Sequence, residues 1–490
     1  MKKILFVLTA SIIFSCSKDE DLILTDTVDP DGSAEVEVQD FMWKAMNFWY
    51  FWQADVKDLA DERFENTKEG RAAYTAFLDS EENPGAFFEK KLQYKEDRFS
   101  FYNSDYRVLT NSLAGISKSN GLEFGLVKIQ GSNDVFGFVR YIIPNSNAAT
   151  VEIQRGDLFT GVDGQTLTVD NYTGLLFGEN NTYTLNMADF VNGEVVPNDK
   201  EIVLTKQEAL AENPIFISKS FEIGGENIGY IMYNQFTNEY DDELYAAVED
   251  LKAAGITNLI MDLRYNPGGS VNTTRILASL IYDTNTSNVF LKKRYNEKLQ
   301  VQFTDKQLEV YFTDKVGGKT IKPLGLSKLY VLTTSGSASA SELLINSLEP
   351  YIDVIQIGDV TRGKNEFSTT LVDDRDNSYL YTPSRVNKIN PDNQWAIQPL
   401  IGRNENADGF SDYTDGLQPD IALKEDYGNL GILGEQNEPL LARAIQEITG
   451  QTGKRDFTVN NPIDIISSSK MFSPFNDKMI DDTVYDLKFE

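Results

Sequence analysis

The sequence predicts a mixed α/β fold of several domains, whose core is built on a partly parallel sheet. A strand, an amphipathic helix and a second strand follow one another in residues 229–263, and the same order recurs in 329–357. Strand-helix-strand units of this length place their two strands in parallel. Short strands and turns fill 119–204, and helical periodicity dominates 38–102. We therefore expect a helical region, then a small β-domain, then the α/β core.

The N-terminus has the layout of a bacterial secretory signal. Two lysines follow the initial methionine, and the apolar run at 4–14 is too short to span a bilayer. The next two residues, Ser15 and Cys16, resemble a lipoprotein processing site, which implies a signal peptide at 1–16 and a lipid on Cys16. The acidic stretch 17–21 resembles the surface-export signal of Bacteroidetes-type lipoproteins. These resemblances imply a lipid-anchored outer-membrane protein on the cell surface, with the periplasmic face as the alternative; an ordinary secretory peptide with an incidental cysteine is the other interpretation.

The next two segments differ in their apolar patterns. Residues 17–36 are acidic, contain Pro30 and Gly32 and have no apolar period, which predicts a disordered tether. Residues 37–108 are predicted to form a helical region. Apolar residues recur there at helical spacing: Phe41, Ala45, Phe48, Trp49 and Trp52. We expect this stripe to pack into a core.

The composition excludes several classes of protein. The 490 residues have a net charge of −30, which argues against a nucleic-acid partner because phosphate binding needs clustered Lys and Arg. A single cysteine allows no internal disulfide and no cysteine metal cluster. The chain has no histidine, so neither a Ser-His-Asp triad nor a Cys-His pair is available.

One stretch combines the features of a nucleophile site. Residues 329–333 form an apolar strand, a small flexible turn follows, and Ser339 begins an apolar helix that ends before Pro350. A serine at such a turn is well placed for attack, and the N–H of Ala340 would face a developing oxyanion. The pattern Ser339-x-x-Glu342 is also that of a capping box, which needs no catalysis. The two interpretations are compatible, because a catalytic serine can begin a helix.

A serine nucleophile needs a base and a site for the oxyanion. Without histidine, lysine is the common partner that remains, provided that burial lowers its pKa from about 10.4 towards neutrality. A glycine-flanked loop after the next predicted strand leads to Lys364. Gly268 and Gly269 follow the carboxyl end of a predicted buried strand, where α/β sheets place their sites. We expect an N–H of either glycine to complete an oxyanion hole with Ala340.

Four motifs, in the expected order, resemble those of the tail-specific (C-terminal processing) serine proteases. They are a PDZ-like segment at 121–167, the strand and turn at 259–269, the SASASE stretch at 337–342 with Lys364 in a Gly-Lys loop, and residues 415–420. The resemblance covers roughly 110–450. It implies a protease core at 215–450 that uses Ser339 as nucleophile and Lys364 as base, without metal or cofactor. It also implies protein or peptide substrates with accessible C-termini.

The resemblance further implies a peptide-binding domain at 109–205. Within it, the stretch at 121–126 resembles a PDZ carboxylate-binding loop. The N–H groups of Phe124, Gly125 and Leu126 would then hold the terminal carboxylate of a peptide that adds as a β-strand. A generic small β-domain with a glycine turn is the alternative.

The sequence departs from the family pattern after the lysine. The family often has a glutamine four positions past it, and here that position is Ser368. Either Ser368 or Asn365 orients Lys364, or the Ser/Lys pair acts alone. A non-catalytic peptide-binding surface lipoprotein is therefore the second hypothesis, and a glycan hydrolase, suggested only by abundant carboxylates, is a weaker third. No role is predicted for the tail at 451–490.

Overall fold

The computed structural model describes residues 28–32, 34–451, 456–470, 473, 476–482 and 484. The predicted signal peptide, Cys16 and the first part of the predicted tether lie outside these residues. Within the described part of the chain, none of the helices combines the length and the apolar character needed to cross a bilayer.

Ten α-helices are described. They are α1 (Glu37–Trp49), α2 (Lys68–Leu78), α3 (Pro84–Phe87), α4 (Tyr106–Leu113), α5 (Tyr172–Phe177), α6 (Asp241–Ala253), α7 (Val271–Ile281), α8 (Glu297–Gln300), α9 (Ala340–Leu348) and α10 (Pro439–Thr449).

The strands of the described residues form six sheets. In chain order they are β1 (Phe101–Asn103), β2 (Ile116–Ser119), β3 (Leu122–Lys128), β4 (Val135–Ile142), β5 (Leu158–Val162), β6 (Gln165–Thr166), β7 (Thr182–Val191), β8 (Glu194–Thr205), β9 (Gln207–Ala211), β10 (Ile215–Ile223), β11 (Glu226–Tyr233), β12 (Asn258–Asp262), β13 (Gly268–Ser270), β14 (Val289–Tyr295), β15 (Glu309–Tyr311), β16 (Lys315–Val316), β17 (Lys319–Thr320), β18 (Lys328–Thr333), β19 (Asp353–Gly358), β20 (Glu366–Ser368), β21 (Leu371–Val372), β22 (Ala396–Gln398), β23 (Leu400–Glu405), β24 (Ile421–Ala422), β25 (Ile465–Ser468) and β26 (Lys478–Ile480).

The central sheet has the order β10-β11-β12-β18-β19-β24. Strands β11, β12, β18, β19 and β24 run parallel, and β10 is antiparallel to β11. Met261 and Val331 point to one face and pack with Leu343 of α9. Ile260 and Leu332 point to the other face, in the same apolar cluster as residues of α10. Because both faces are covered by helices, near-continuous apolar strands are expected, and the predicted α/β fold with a partly parallel sheet is confirmed.

A second sheet has the order β13-β26-β20-β23-β14-β15. Its strand β13 contains the predicted oxyanion glycines, and β20 begins two residues after Lys364. Between these two strands lies β26, which comes from the tail. Two segments of the candidate site are therefore joined through a strand that is distant in sequence.

The β-domain (residues 116–211) has its own apolar core, which includes Leu126, Phe159 and Leu185. Its sheet has the order β25-β3-β4-β5-β7-β8, with β6 paired to β5. The edge strand β25 again comes from the tail. The two strands β2 and β9 pair with each other at the junction to the core.

The N-terminal helical region packs on the core rather than standing apart. The predicted stripe is buried except for Trp52, which is half-buried against the same cluster, and Trp49 donates its indole N–H to Ser378 O at 2.7 Å. Val28 and Val36, which lie within the predicted tether, are also buried in this cluster. Lys44 pairs with Asp29 at 2.7 Å. The tether boundary predicted at residue 36 is therefore too late, because two isolated valines give no periodic signal but still fill a core.

Candidate active site

Ser339 lies at the turn between β18 and α9. Its φ of 64° and ψ of −110° are rare for a residue with a side chain, so the surrounding structure must hold this conformation against its strain. The Ala338 N–H donates to Asn266 O at 3.1 Å. The Ser337 hydroxyl donates to Leu263 O at 2.8 Å. These bonds fix the turn to the end of β12, where the sheet places its other loops.

The side chain of Ser339 is completely buried, and among the described residues its Oγ has no hydrogen-bond partner. The predicted capping pattern is present in outline, because the carboxylate of Glu342 accepts the main-chain N–H of Ser339. The hydroxyl itself is not used in this way. The hydroxyl of Ser339 therefore takes no part in the hydrogen bonds that cap α9.

Glu342 joins the serine to the lysine through their main chains. Its Oε2 accepts from the N–H of Ser339 at 2.6 Å and from the N–H of Lys364 at 2.9 Å. Its Oε1 accepts from the N–H of Gly363 at 2.7 Å and from Thr361 Oγ1 at 2.5 Å. Burial raises the pKa of Glu342 to about 7, although these four hydrogen bonds favour the ionised form. One buried carboxylate thus positions two segments that are adjacent in space.

Lys364 is also completely buried, and in the described part of the chain its Nζ has no hydrogen-bond partner. The ammonium position is 5.0 Å from the ring centroid of Phe99. Burial, reinforced by repulsion from Lys478, lowers the pKa of Lys364 well below 10.5. This shift favours the neutral amine, which can accept a proton. Nζ is not hydrogen-bonded to Ser339 Oγ in this structure.

The glycine turn lies directly against the serine. Gly268 has a φ of +113°, and a Cβ at this position would be 2.7 Å from Ser339 Cβ and 2.9 Å from its Oγ. The Gly268 N–H donates to Asn266 Oδ1 at 2.9 Å. Gly269 is held against Phe236, whose carbonyl oxygen would be 2.0 Å from a Cβ there. The structure thus places Gly268 beside Ser339, with its N–H turned towards Asn266.

Ala340 is the first residue of α9, so its N–H has no acceptor within the helix. It follows Ser339 directly and lies at the positive end of the helix dipole. Of the three predicted oxyanion residues, Ala340 and Gly268 therefore flank the serine.

A buried ion network anchors the end of β12. Arg264, which is completely buried, pairs with Asp262 at 2.8 Å and with Glu438 at 2.6 Å. Glu425 pairs with Arg264 at 3.2 Å and with Arg155 of the β-domain at 2.9 Å. Removing one member of such a network is costly because a charge is left buried alone. Among the described residues, no cluster of carboxylates, cysteine or histidine is arranged to hold a metal ion.

Neither predicted lysine-orienting residue is bonded to Lys364 Nζ. Ser368 Oγ donates to Met479 O at 3.2 Å and accepts from Gln398 Nε2 at 3.1 Å. Asn365 donates a hydrogen bond from its side-chain amide to Ser411 O. The sequence did not predict the hydrogen bond from Gln398 to Ser368, because Gln398 lies on β22, outside every motif.

The tail contributes a second lysine to the site, which the sequence did not predict. Lys478 of β26 pairs in register with Gly268 of β13, and its Nζ donates to Phe99 O. Burial lowers the pKa of Lys478 to about 8. The buried Lys364 and the half-buried Lys478 therefore share the Phe99 ring, since their Nζ atoms lie 5.0 and 5.9 Å from its centroid. An isolated lysine in an unpatterned tail gives no sequence signal of this role.

The residues predicted to bind a peptide terminus lie in β3, and β25 is paired with them. Gly125 is opposite Ser468 and Leu126 is opposite Ser467 in an antiparallel register. The Phe124 N–H donates to the side-chain hydroxyl of the next tail residue, Ser469, at 3.1 Å. The edge that was predicted to receive a peptide strand is therefore covered by a strand of the same chain.

The fold and the site define a class of α/β proteins with an unpartnered serine at a strained strand-to-helix turn and a buried lysine nearby. Residues 227–422 match the model of peptidase family S41, and residues 37–101 match that of the peptidase S41 N-terminal domain. These two parts of the chain are therefore S41 family domains.

Individual relatives agree with this assignment. The chain is 25% identical over 262 residues to a carboxyl-terminal-processing protease of Picosynechococcus sp., covering 53% of this chain and 57% of the relative. It is 28% identical over 204 residues to a carboxyl-terminal-processing protease of Synechocystis sp., covering 42% and 43%. The chain thus spans about half the length of the curated relatives it matches.

A solved structure supports the fold. A crystal structure from Bacteroides fragilis NCTC 9343, provisionally named an S41 protease, aligns with a TM-score of 0.63 at 24% identity. The alignment covers 87% of this chain and 100% of the other. The architecture described above is therefore shared over nearly the whole chain.

Proposed function

We propose that this protein is a serine peptidase of the tail-specific type, which cleaves protein substrates through an acyl-enzyme on Ser339 with Lys364 as the base. The observation that supports this most is the shared carboxylate of Glu342, which holds both main chains, while neither reactive side chain has a hydrogen-bond partner among the described residues. A buried hydroxyl and a buried amine without partners cost folding free energy. Such a cost is typical of a functional site.

The proposed reaction needs only residues of this site. Lys364 Nζ accepts the hydroxyl proton as Ser339 Oγ attacks the carbonyl carbon of the scissile peptide. The N–H groups of Ala340 and of Gly268 or Gly269 hold the oxyanion. The protonated lysine then gives its proton to the leaving amine as the C–N bond breaks. Water, deprotonated by the same amine, hydrolyses the acyl-enzyme and restores the serine.

Catalysis requires a rearrangement, because Ser339 is completely buried and the Gly268 N–H is bound to Asn266. Rotation of the peptide before Gly268 would turn this N–H towards the oxyanion, and a glycine allows it because no Cβ restricts φ. Catalytic hydrogen bonds are often loose in a free enzyme and tighten when substrate binds. We therefore assign the separation of Oγ from Nζ to a resting state.

We further propose that the β-domain captures the substrate as PDZ domains do. Phe124, Gly125 and Leu126 lie on β3, and β25 pairs with the side of β3 that faces away from β4, in antiparallel register. An edge that accepts one extended segment has the main-chain geometry to accept another.

The catalytic proposal is tested by Ser339→Ala and Lys364→Ala, assayed on casein and by labelling with a fluorophosphonate probe. We expect each substitution to reduce cleavage by at least about 10³-fold, since removing a member of a catalytic unit abolishes most of the rate. The exposed Lys68, on α2, provides Lys68→Ala as a control that should retain activity. Thermal unfolding verifies that the variants are folded. Full activity in either catalytic variant would refute the proposal.

A non-catalytic peptide-binding protein on the same fold is the second candidate. It is favoured by the absence of a hydrogen bond from Lys364 Nζ to either Ser339 or Ser368, within the described residues. Peptide binding without labelling of Ser339 would support it. Labelling that disappears in Lys364→Ala would exclude it.

We also propose that Cys16 is lipidated and holds the protein at the outer membrane, most simply at the cell surface. The signal-like sequence before Cys16 is the support. Metabolic labelling with a fatty acid, compared between the natural sequence and Cys16→Ser, tests the anchor. Protease treatment of intact cells distinguishes the surface from the periplasmic face.

A further inference from the structure

A cleft of about 660 Å³ approaches the serine from outside. Pro267, which precedes the oxyanion glycines, and Gly336, in the turn before Ser339, both line it. Strand β25 lines another part of the cleft, and Phe99 and its neighbours from the N-terminal region line a third. The cleft therefore lies between the predicted capture edge and the predicted catalytic turn, which is the route of a bound polypeptide.

The charged lining of this cleft is mostly positive. Its cations are Arg98, Arg140, Arg362, Lys470 and Lys478. Among the described residues that line it, Asp477 is the one carboxylate, and it is already paired with Arg362 at 3.0 Å. The whole chain has a net charge of −30, so this local excess of cations runs against the general charge of the protein.

Arg140 is the most informative of these cations. It is only 6% exposed, and its Nε has no hydrogen-bond partner among the described residues. Its guanidinium lies 4.8 Å from the ring centroid of Tyr265, which orients it without neutralising it. No ion pair within the described ranges involves Arg140. The buried carboxylate of Glu123 interacts with Arg140 electrostatically, but burial raises the pKa of Glu123 to about 7, so this counter-charge is incomplete near neutral pH. A buried cation that is incompletely compensated is costly unless something supplies more negative charge.

Arg98 is likewise held by a group other than a carboxylate, and its partner is the residue before Lys364. It donates to the carbonyl oxygen of Gly363 at 2.8 Å, and the described residues give it no carboxylate partner. Lys478 likewise donates to a main-chain oxygen, that of Phe99. Three oriented cations thus face the cleft without an ion pair among the described residues, and each can still donate to a carboxylate.

We propose that this cleft selects substrate segments by their carboxylates, with Arg140 and Arg98 as specificity-determining residues. The inference rests on the proposed function and names the substrate class of the same site: extended peptides with acidic side chains or with a free C-terminal carboxylate close to the scissile bond. Fixed cations in a partly enclosed cleft favour a ligand of opposite charge and disfavour basic or neutral segments.

The test is a binding measurement with the full chain as Ser339→Ala, so that cleavage plays no part. Fluorescent peptides of one sequence are compared with Glu or with Gln at several positions, each with a free or an amidated C-terminus. At low salt we expect the Glu peptide with a free terminus to bind about tenfold more tightly than its neutral counterpart. The two modifications distinguish the source of the carboxylate. Raising the salt concentration should reduce the difference.

The same comparison in Arg140→Gln and Arg98→Gln should remove most of the discrimination. Lys68→Gln, which removes one exposed charge on α2, should leave it unchanged. Should Arg140→Gln unfold, the exposed Arg98 provides the decisive variant. Equal binding of acidic and neutral peptides overturns the proposal, as does discrimination that persists in both arginine variants. Either result leaves the Ser339 and Lys364 chemistry intact, which the labelling experiment tests separately.

A second inference comes from an independent observation, the pairing of β25 with β3. Ser469 completes this contact, because its N–H donates to Phe124 O at 3.0 Å and its hydroxyl donates to Glu123 at 2.7 Å. Strand β25 has only four residues, and Ile466 within it is exposed. Short edge strands with little buried apolar area are held weakly.

We infer that β25 is a resident ligand of the capture edge, and that substrate binds by exchanging with it. A resident strand lowers the apparent affinity for an incoming peptide by the fraction of time for which the edge is covered. In the Ser339→Ala background, Ser469→Pro removes the N–H and the hydroxyl that hold β25. A labelled peptide of residues 463–469 should then bind about tenfold more tightly. Ile466→Ser, on the same strand with the main-chain pairing intact, is the control.

Unchanged or weaker affinity in Ser469→Pro would show that β25 does not compete for the edge. Failure of the peptide to bind in either background would overturn the exchange and the proposed capture together. Neither outcome bears on Ser339 as the nucleophile, since the probe labels the serine without a captured peptide.

Discussion

The nucleophile stretch, residues 329–364, and the tail strands, β25 and β26, both reach the site but are built differently. The stretch is one continuous strand-helix-strand unit inside the central sheet, covered on both faces. The tail strands have four and three residues and add to two different sheets. The comparison teaches that the local unit sets the geometry of Ser339 and Lys364, whereas the distant segment sets their electrostatics and access.

Gly268 is where the two regions meet, and its replacement should have the largest effect. A Cβ at Gly268 would be 2.7 Å from Ser339 Cβ and 2.5 Å from Lys478 O, at a φ of +113°. Gly268→Ala must therefore displace the serine turn or β26, and we expect kcat/KM to fall by about 100-fold or more. Gly318→Ala is the control, because Gly318 also has a positive φ but open space around it. Comparable activity in the two variants would mean that the turn adapts without consequence.

A substitution of Glu342 tests how the nucleophile stretch positions Ser339 and Lys364, without involving the tail. Glu342→Gln replaces one acceptor oxygen by an NH₂ group, which would face N–H or O–H donors instead of accepting from them. We expect kcat to fall by about tenfold to 100-fold, with a loss of about 1–3 kcal/mol in the free energy of unfolding. Glu349→Gln, at the exposed end of α9, should change neither quantity. An active and stable Glu342→Gln enzyme would contradict the positioning role.

A substitution of Lys478 tests the electrostatic contribution of the tail strand β26. Its positive charge disfavours the protonated form of Lys364, so Lys478→Met should raise the pKa of Lys364. Because the neutral amine is the proposed base, the rising limb of the kcat/KM profile should move to higher pH, with activity recovered there. Lys68→Met should leave the profile in place. A profile that moves to lower pH, or a loss that no pH restores, would indicate a structural role instead.

The strain at Ser339 gives the smallest expected effect. Glycine tolerates a φ of 64° and alanine does not, so Ser339→Gly should be more stable than Ser339→Ala by about 1 kcal/mol, although both are inactive. Chemical denaturation of the two variants measures the difference. Equal stability would mean that the turn relaxes and stores no strain.

The same division explains what the sequence could predict. Strand β18, helix α9 and the loop to Lys364 were predictable because apolar periodicity and turn residues act over a few positions. The position of Gly268 beside Ser339 followed from the rule that loops gather at the carboxyl ends of parallel strands. β25, β26 and Gln398 were not predictable, because short strands obtain their stability from partners that are distant in sequence. The burial of Val28 was missed for the same reason.

The central claim is that an uncharged Lys364 activates Ser339, and its most direct test is the rate of fluorophosphonate labelling of Ser339 as a function of pH. The account predicts a rate that rises through one ionisation well below pH 10.5, since burial lowers the pKa of Lys364, and that nearly vanishes in Lys364→Met. Labelling at the same rate and with the same pH profile in Lys364→Met would contradict it.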